Sequence, residues 1–360
     1  MQHRSRHVRT PRRAARLGGA RAVTAAALAF GAVLITSCGG SSAGSTGTVT
    51  VGVGSNIFEM PIRLAEANGY FAEQGLKVRF VTLTAATGAS ALQSGSVQFL
   101  SDSPTDFVSA LAKKVPETAI SVDGVGNPLG LIVSTAFAKA HHLTPATPAA
   151  DVARALAGST GGASSANTKA ETGLFLKAYG VGSDKVKWVS LPSPAADKAA
   201  LKSNQIDWFT TSEPTPLEIQ ESGDGVVVAD ARKVPAWSNA TVEYGELIVA
   251  RDDYLKQHAA TAKKFVTAVQ QATAYMNAHL ASDAVQDTAA KTLPGVPPAV
   301  IKESLPLVDW PASGAMSTAD WNTTLRFINA LGALPQKAEV ASDDWTNDYL
   351  PATGAAASSR

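Results

Sequence analysis

The sequence predicts an α/β protein built as two lobes. Three observations carry that reading. A strand, a helix and a second strand follow one another between Thr48 and Leu83. The same alternation restarts near Thr144. The 360 residues amount to roughly two domains at about 150 residues each.

The first strand is expected at Thr48 to Val53, where Val49, Val51 and Val53 alternate. Pro61 suits a first helical turn, and Ile62 to Asn68 runs helically until Gly69, a good residue just past a helix end. Val78 to Leu83 is the second strand, so this unit predicts a parallel sheet with a right-handed crossover. Ser103-Pro104-Thr105-Asp106 opens the next helix with a capping-box pattern and proline at its first position. Ala119 to Val122 and Leu129 to Ser134 read as further strands. In the second lobe, Thr168-Lys169-Ala170-Glu171 starts a helix that stops near Tyr179-Gly180. Strands are expected at Val186 to Leu191, Ile206 to Thr210, Gly225 to Ala229 and Glu246 to Ala250, and a helix at Ala195 to Leu201. Phe265, Val266, Val269, Met276 and Leu280 predict one amphipathic helix over Asp253 to Leu280.

Composition narrows the function. The chain is 45% hydrophobic and 17% charged, which suits a globular protein. Its net charge of +1 hides an asymmetry. Residues 1–37 hold seven arginines and no acid, and the remaining 323 residues carry 24 basic against 30 acidic groups, a net −6. A mildly acidic body argues against nucleic-acid binding. A single cysteine excludes a disulfide framework and a cysteine-rich metal site.

The arginines precede an apolar run, Ala22 to Ile35, of the length a secretory signal uses and shorter than a membrane span. The run ends in Ile35-Thr36-Ser37-Cys38, which resembles a bacterial lipobox with Cys38 as the lipid-modified residue. Residues 1–37 are therefore expected to be a lipoprotein signal peptide. The pair Arg12-Arg13 lacks the rest of a twin-arginine motif, so the Sec route is expected. Residues 38–47 read as a flexible tether with a reach of roughly 15–18 Å. Two or three acyl chains would hold the body on the outer face of the cell membrane. The tail 346–360 is expected to be disordered.

The order of segments resembles the solute-binding proteins of ABC importers for nitrate, sulfonates, taurine and pyrimidine precursors. The residues carrying the resemblance are Val49-Thr50-Val51-Gly52-Val53, Pro61-Ile62-Arg63-Leu64-Ala65, Gly69-Tyr70-Phe71 and Gly75-Leu76-Lys77-Val78. Ala91 to Phe99 is similar to a family segment that ends in Asp where this chain has Gln98. Leu201 to Trp208 and Glu213-Pro214 look like its second-lobe counterparts. The resemblance spans roughly residues 48–345. It implies a type II periplasmic-binding-protein fold whose two lobes are joined by two hinge crossings, placed near Val133–Ala136 and Val234–Glu243. Lobe one would then be 48–135 plus 240–345, and lobe two 136–239. It also implies a monomer, partnered by a small-molecule ligand and by the permease and ATPase subunits of an importer.

Ligands of open parallel sheets sit beyond the carboxyl ends of the strands. That rule selects Ser55, Asn56 and Phe58, then Thr87, then Asp102 and Ser103 in lobe one. In lobe two it selects Ser164, Ser165, Asn167 and Thr168, and then Glu213. The turn Gly162 to Thr168 leads into a helix start whose free N–H groups suit a sulfonate, phosphate or carboxylate. Each residue also has a plainer role. Ser103 and Thr168 can cap their helices, Phe58 can be core, and Gly54, Gly88 and Gly162 can serve tight turns. Asp102 and Glu213 can accept from a ligand ammonium or from neighbouring backbone amides. Trp237 and Tyr244 flank the return hinge, where lobe packing explains them.

Catalytic signatures are missing. His141, His142, His258 and His279 have no metal-ligand spacing. Gly162-Ala163-Ser164-Ser165-Ala166 fails the nucleophile-elbow pattern at its last position. No phosphate loop is present, and Gly52-Val53-Gly54 lacks the third glycine of a dinucleotide fingerprint. The cysteine-rich segment of the family's eukaryotic pyrimidine-synthesising members is absent too. The expectation is a binding protein, not an enzyme, without cofactor or metal, whose solute is sulfonate- or taurine-like. The alternatives are an amino-pyrimidine solute and a ligand sensor feeding a membrane kinase.

Overall fold

The computed structural model describes residues 47–54 and 56–352. The apolar run 22–35, Cys38 and residues 353–360 lie outside the described residues, as does Ser55. Two five-stranded sheets organise the chain. The first contains β1 (Gly47–Val53), β2 (Leu76–Thr82), β3 (Phe99–Asp102), β4 (Glu117–Val125) and a late strand, Tyr244–Arg251. The second contains β5 (Leu129–Ser134), β6 (Thr160–Ala163), β7 (Lys187–Ser190), β8 (Trp208–Ser212) and β9 (Gly225–Asp230). Numbering the late strand β10, the orders are β2-β1-β3-β10-β4 and β7-β6-β8-β5-β9.

Each sheet is parallel at one side and antiparallel at the other. β1 runs parallel to β2 and β3, and β6 parallel to β7 and β8. β10 is antiparallel to β3 and β4, and β5 is antiparallel to β8 and β9. In both sheets the reversed strand is the one that arrives from the other half of the molecule. A local βαβ reading could only anticipate the parallel strands. The first crossing is Gly126-Asn127-Pro128, between β4 and β5, and not Val133–Ala136 as expected. Residues 129–134 therefore belong to the second sheet. The sequence shows that Leu129–Ser134 is a strand, but its partners β8 and β9 lie about 75–100 residues further on. The return passes through residues 231–243, which include the short helix Asn239–Val242.

Other differences are local. The expected long helix is two, Asp252–Gln257 and Ala259–His279, with His258 at the break and its ring 4.6 Å from that of Tyr254. The helix expected to start at Thr168 spans Ala166–Ala178, one turn earlier in its capping. Ser165 Oγ accepts from Thr168 N at 3.0 Å, while Thr168 Oγ1 accepts from Ser165 N at 3.2 Å. Ser-x-x-Thr and Thr-x-x-Glu both fit a cap, and the earlier one gains a further turn of helix. Residues 346–352 are packed and not a free tail. Thr346 N donates to Ala119 O at 3.0 Å, and Asn347 makes two hydrogen bonds with the Met316 backbone. β1 already includes Gly47, assigned to the tether.

Aromatic residues fill the centre of each half. Phe265, from the helix Ala259–His279, stacks between Phe71 (5.1 Å) and Phe99 (4.1 Å). In the second half Trp208, Trp237 and Phe175 are fully buried. Each such ring stabilises the fold by up to about 3 kcal/mol through burial. Trp237 Nε1 donates to Glu171 O at 3.1 Å and its ring lies 5.3 Å from that of Phe175, so this residue packs the return crossing onto the helix Ala166–Ala178. Among the described residues no helix is long and apolar enough to cross a membrane.

Candidate ligand cleft

A cleft of about 1410 Å³ is lined at one end by Ser103, Thr105 and Asp106 and by Ser165, Ala166 and Asn167. The first trio follows β3, and the second follows β6. Both are turns from the carboxyl end of a parallel strand into a helix, Pro104–Ala112 and Ala166–Ala178. The fold thus brings Ser103, Ser165 and Asn167 together, although they come from different sheets. Its lining also includes Val108, Ser109, Leu111 and Ala112 of the helix Pro104–Ala112, the residues 113–117 that follow it, and several residues between Ala333 and Asp344.

On the first side Ser103 caps its helix. Its Oγ accepts from Asp106 N at 3.1 Å and donates to Asp106 Oδ2 at 2.9 Å. Asp102 lies just behind it, 8% exposed. Burial pushes the Asp102 carboxyl well above the usual range, and the like charges of Asp106, Glu246 and Glu117 push the same way. Burial raises Asp106 too, opposed by Ser103. Glu246, on β10, accepts from Ser101 Oγ at 2.8 Å and from the Asn56 side chain, and burial pushes it up to about 8. Asn56 Oδ1 also accepts from Phe58 N at 2.9 Å, capping the short helical turn Ile57–Glu59. The Phe58 ring is core. A Cβ at Gly124 would stand 2.4 Å from its Cδ1, so the ring occupies the space a side chain on β4 would take. Thr87 is exposed and shares a cap with Thr84, apart from the cleft.

On the second side Asn167 Nδ2 donates to Glu171 Oε1 at 2.8 Å. Asn127, in the first crossing, donates to the same oxygen at 2.8 Å and accepts from Ser212 Oγ at 3.1 Å. The crossing is thereby tied to a helix and a strand of the second sheet. Burial pushes Glu171 up to about 7, with both amides opposing. Ser164 stands beside Asp197, a fully buried carboxylate. Neither Asp197 oxygen reaches hydrogen-bond geometry, and the nearby Ser164 only partly offsets the burial that pushes it up to about 6. Glu213 lies elsewhere. It lines a separate cavity of about 400 Å³ with Pro128, Asp230, Arg232, Ser238 and Asp309. There it accepts from Leu217 N at 3.2 Å, and burial pushes it up to about 8.

Asn127, Asp106, Glu171 and Glu246 were missed by sequence reasoning. Glu171 and Asp106 were visible only as members of capping patterns. Asn127 carries no signal of its own, because its partners lie 44 and 85 residues away. Among the described residues no group of three or more His, Cys, Asp or Glu is arranged to hold a metal ion.

The arrangement has counterparts among known proteins. A family model described as NMT1/THI5 like matches residues 56–281. No curated protein matches the sequence significantly. Among solved structures, the periplasmic aliphatic sulphonate-binding protein SsuA of Escherichia coli is 17% identical, with a TM-score of 0.63 over 81% of this chain and 89% of that one. The periplasmic nitrate-binding protein NrtA of Synechocystis PCC 6803 is 17% identical, with a TM-score of 0.59 over 71% and 69%. The desulfurization enzyme DSZB is 16% identical, with a TM-score of 0.58 over 81% and 94%. The fold is therefore the two-sheet, mixed α/β fold of periplasmic binding proteins. It is shared by binding proteins and by at least one enzyme.

Proposed function

The chain belongs to the NMT1/THI5-like family, and on that premise we propose that it is the lipid-anchored solute-binding component of an ABC importer. The observation that carries this reading is the cleft itself. Equivalent strand-to-helix turns from two sheets face a common space, and only two short crossings join the sheets. Such an architecture captures a solute by closing over it and needs no bond chemistry. The closed form, favoured by the solute through its contacts with both turns, is the one that delivers to the permease and its ATPase subunits. Cys38 anchors the protein to the outer face of the cell membrane and residues 39–46 act as the tether. Residues 47–125 with 244–352 form one lobe, and 129–230 the other. Ser103, Ser165 and Asn167 contact the solute, and Asp102 and Ser164 support them from behind.

A thermal-shift panel of sulfonates, taurine, nitrate, pyrimidines, amines and simple carboxylates tests capture. A solute at about 100 times its Kd adds about 2.7 kcal/mol to stability, which raises the melting temperature by several degrees. A flat panel with a cooperatively melting protein refutes solute capture.

A further inference from the structure

We propose that Asn127, in the first crossing, is a positioning residue for solute capture: acting through Glu171, it holds the Asn167 side chain where the second turn meets the solute. This rests on the reading of the cleft as the solute site and names what sets one of its contacts.

The three residues proposed to touch the solute are not held alike. Ser103 and Ser165 are fixed by their own caps, Ser103 against Asp106 and Ser165 against Thr168. Each partner lies three residues along the chain, so those two positions are set locally. Asn167 differs. Its Nδ2 donates to Glu171 Oε1 and its Oδ1 has no hydrogen-bond partner, so a single bond orients the amide. The oxygen that takes this bond is itself placed from outside the helix, because Asn127 Nδ2 donates to the same Oε1. Among the described residues no other group hydrogen-bonds the Glu171 carboxylate.

Asn127 is fixed in its turn. Its Oδ1 accepts from Ser212 Oγ on β8, and its carbonyl accepts from Leu129 N at 2.7 Å. It follows Gly126, whose φ of +77° is left-handed and whose N–H donates to Glu243 O in the return crossing at 2.6 Å. Two hydrogen bonds thus trace the direction of the Asn167 amide back to the place where the crossings meet. The helix Ala166–Ala178 does not depend on these bonds. Trp237 Nε1 donates to Glu171 O, and the Thr172 hydroxyl donates to Thr210 Oγ1 at 2.8 Å. Removing the Asn127 amide therefore leaves the helix in place and releases only the carboxylate. A buried carboxylate with one donor fewer holds a proton more readily. Once protonated it is a donor as well as an acceptor, so it no longer dictates which end of the Asn167 amide it meets.

The test is nitrogen-15 NMR of the full chain across neutral pH, following the side-chain amide pair of Asn167, identified by its loss in Asn167→Ser. In the wild type this pair should titrate with a midpoint near pH 7, where Glu171 ionises. The side chains that act on Glu171 are Asn127 and Asn167, and no charged group is among them. Asn127→Ala should raise the midpoint by about one pH unit. Ser212→Ala frees the far end of Asn127 and should raise it by less; it decides the matter alone if Asn127→Ala does not fold. Glu171→Gln should abolish the titration. Each compound of the thermal panel that stabilises the wild type should bind Asn127→Ala about tenfold more weakly, although Asn127 does not line the cleft. An Asn167 pair that does not titrate, a midpoint unmoved by the variants, or equal affinities overturns the assignment and leaves solute capture standing. A panel flat in the wild type refutes capture itself, and the assignment with it.

Discussion

Raising the pH from 5 to 8 should destabilise this protein, and Glu171 makes the effect measurable at one residue. Its carboxyl is 1% exposed and is pushed from an ordinary 4.5 up to about 7 by burial. A carboxyl whose pKa rises on folding keeps its proton in the native chain and gives it up in the unfolded one. Its stabilising contribution is complete below the unfolded value and is lost as pH rises through the folded value. For a shift from 4.5 to 7, the loss between pH 5 and pH 8 integrates to about 2.5 kcal/mol. Glu117, Glu213 and Glu246, each pushed up to about 8 by burial, act in the same direction. Asp224 and Asp253 are lowered, by Lys202 and Arg251, and so matter only below pH 5. The assay is urea denaturation of the wild type and Glu171→Gln at pH 5, 6, 7 and 8. The variant cannot ionise at this position, so its stability should fall by about 2.5 kcal/mol less than that of the wild type across the range. Parallel curves for the two proteins would refute the burial of Glu171 and with it the Asn127–Glu171–Asn167 network.

Gly161→Ala should cost about 3 kcal/mol and lower the melting temperature by several degrees. Its Cβ would land 2.2 Å from the Trp208 ring, which is fully buried and held by a 2.7 Å bond from Nε1 to Ser159 Oγ. Gly173→Ala, inside a helix with its nearest outside atom 3.9 Å away, should instead stabilise by roughly 0.5–1 kcal/mol. Calorimetric melting of the two variants checks both signs. Cys38→Ser should move the protein from the membrane to the soluble fraction of cells, read by fractionation. Full retention on the membrane would remove Cys38 as the anchor.

Local signals in the chain were sufficient for the strand-turn-helix units. Alternating valines marked β1. Ser103 with Pro104 marked the start of a helix, and Gly69 an end, because capping and turn geometry depend on residues a few positions apart. The site was legible only to the same depth. Ser103, Ser165 and Asn167 could be named as candidates because each follows the carboxyl end of a strand, and all three line the cleft. The tertiary structure alone paired β5 with β8 and β9, reversed β10 between β3 and β4, and set the first crossing at Gly126-Asn127-Pro128. It alone laid Phe58 against Gly124 and sent Glu213 to a different cavity. It also converted ordinary carboxyls into proton-holding ones, since a pKa shift of this kind requires burial by residues tens of positions away. The sequence by itself determined the parts of this protein that neighbours in the chain can specify. Strand partners, the meeting of the two turns and the charge state of the cleft depend on segments far apart, and only the packed chain brings those together.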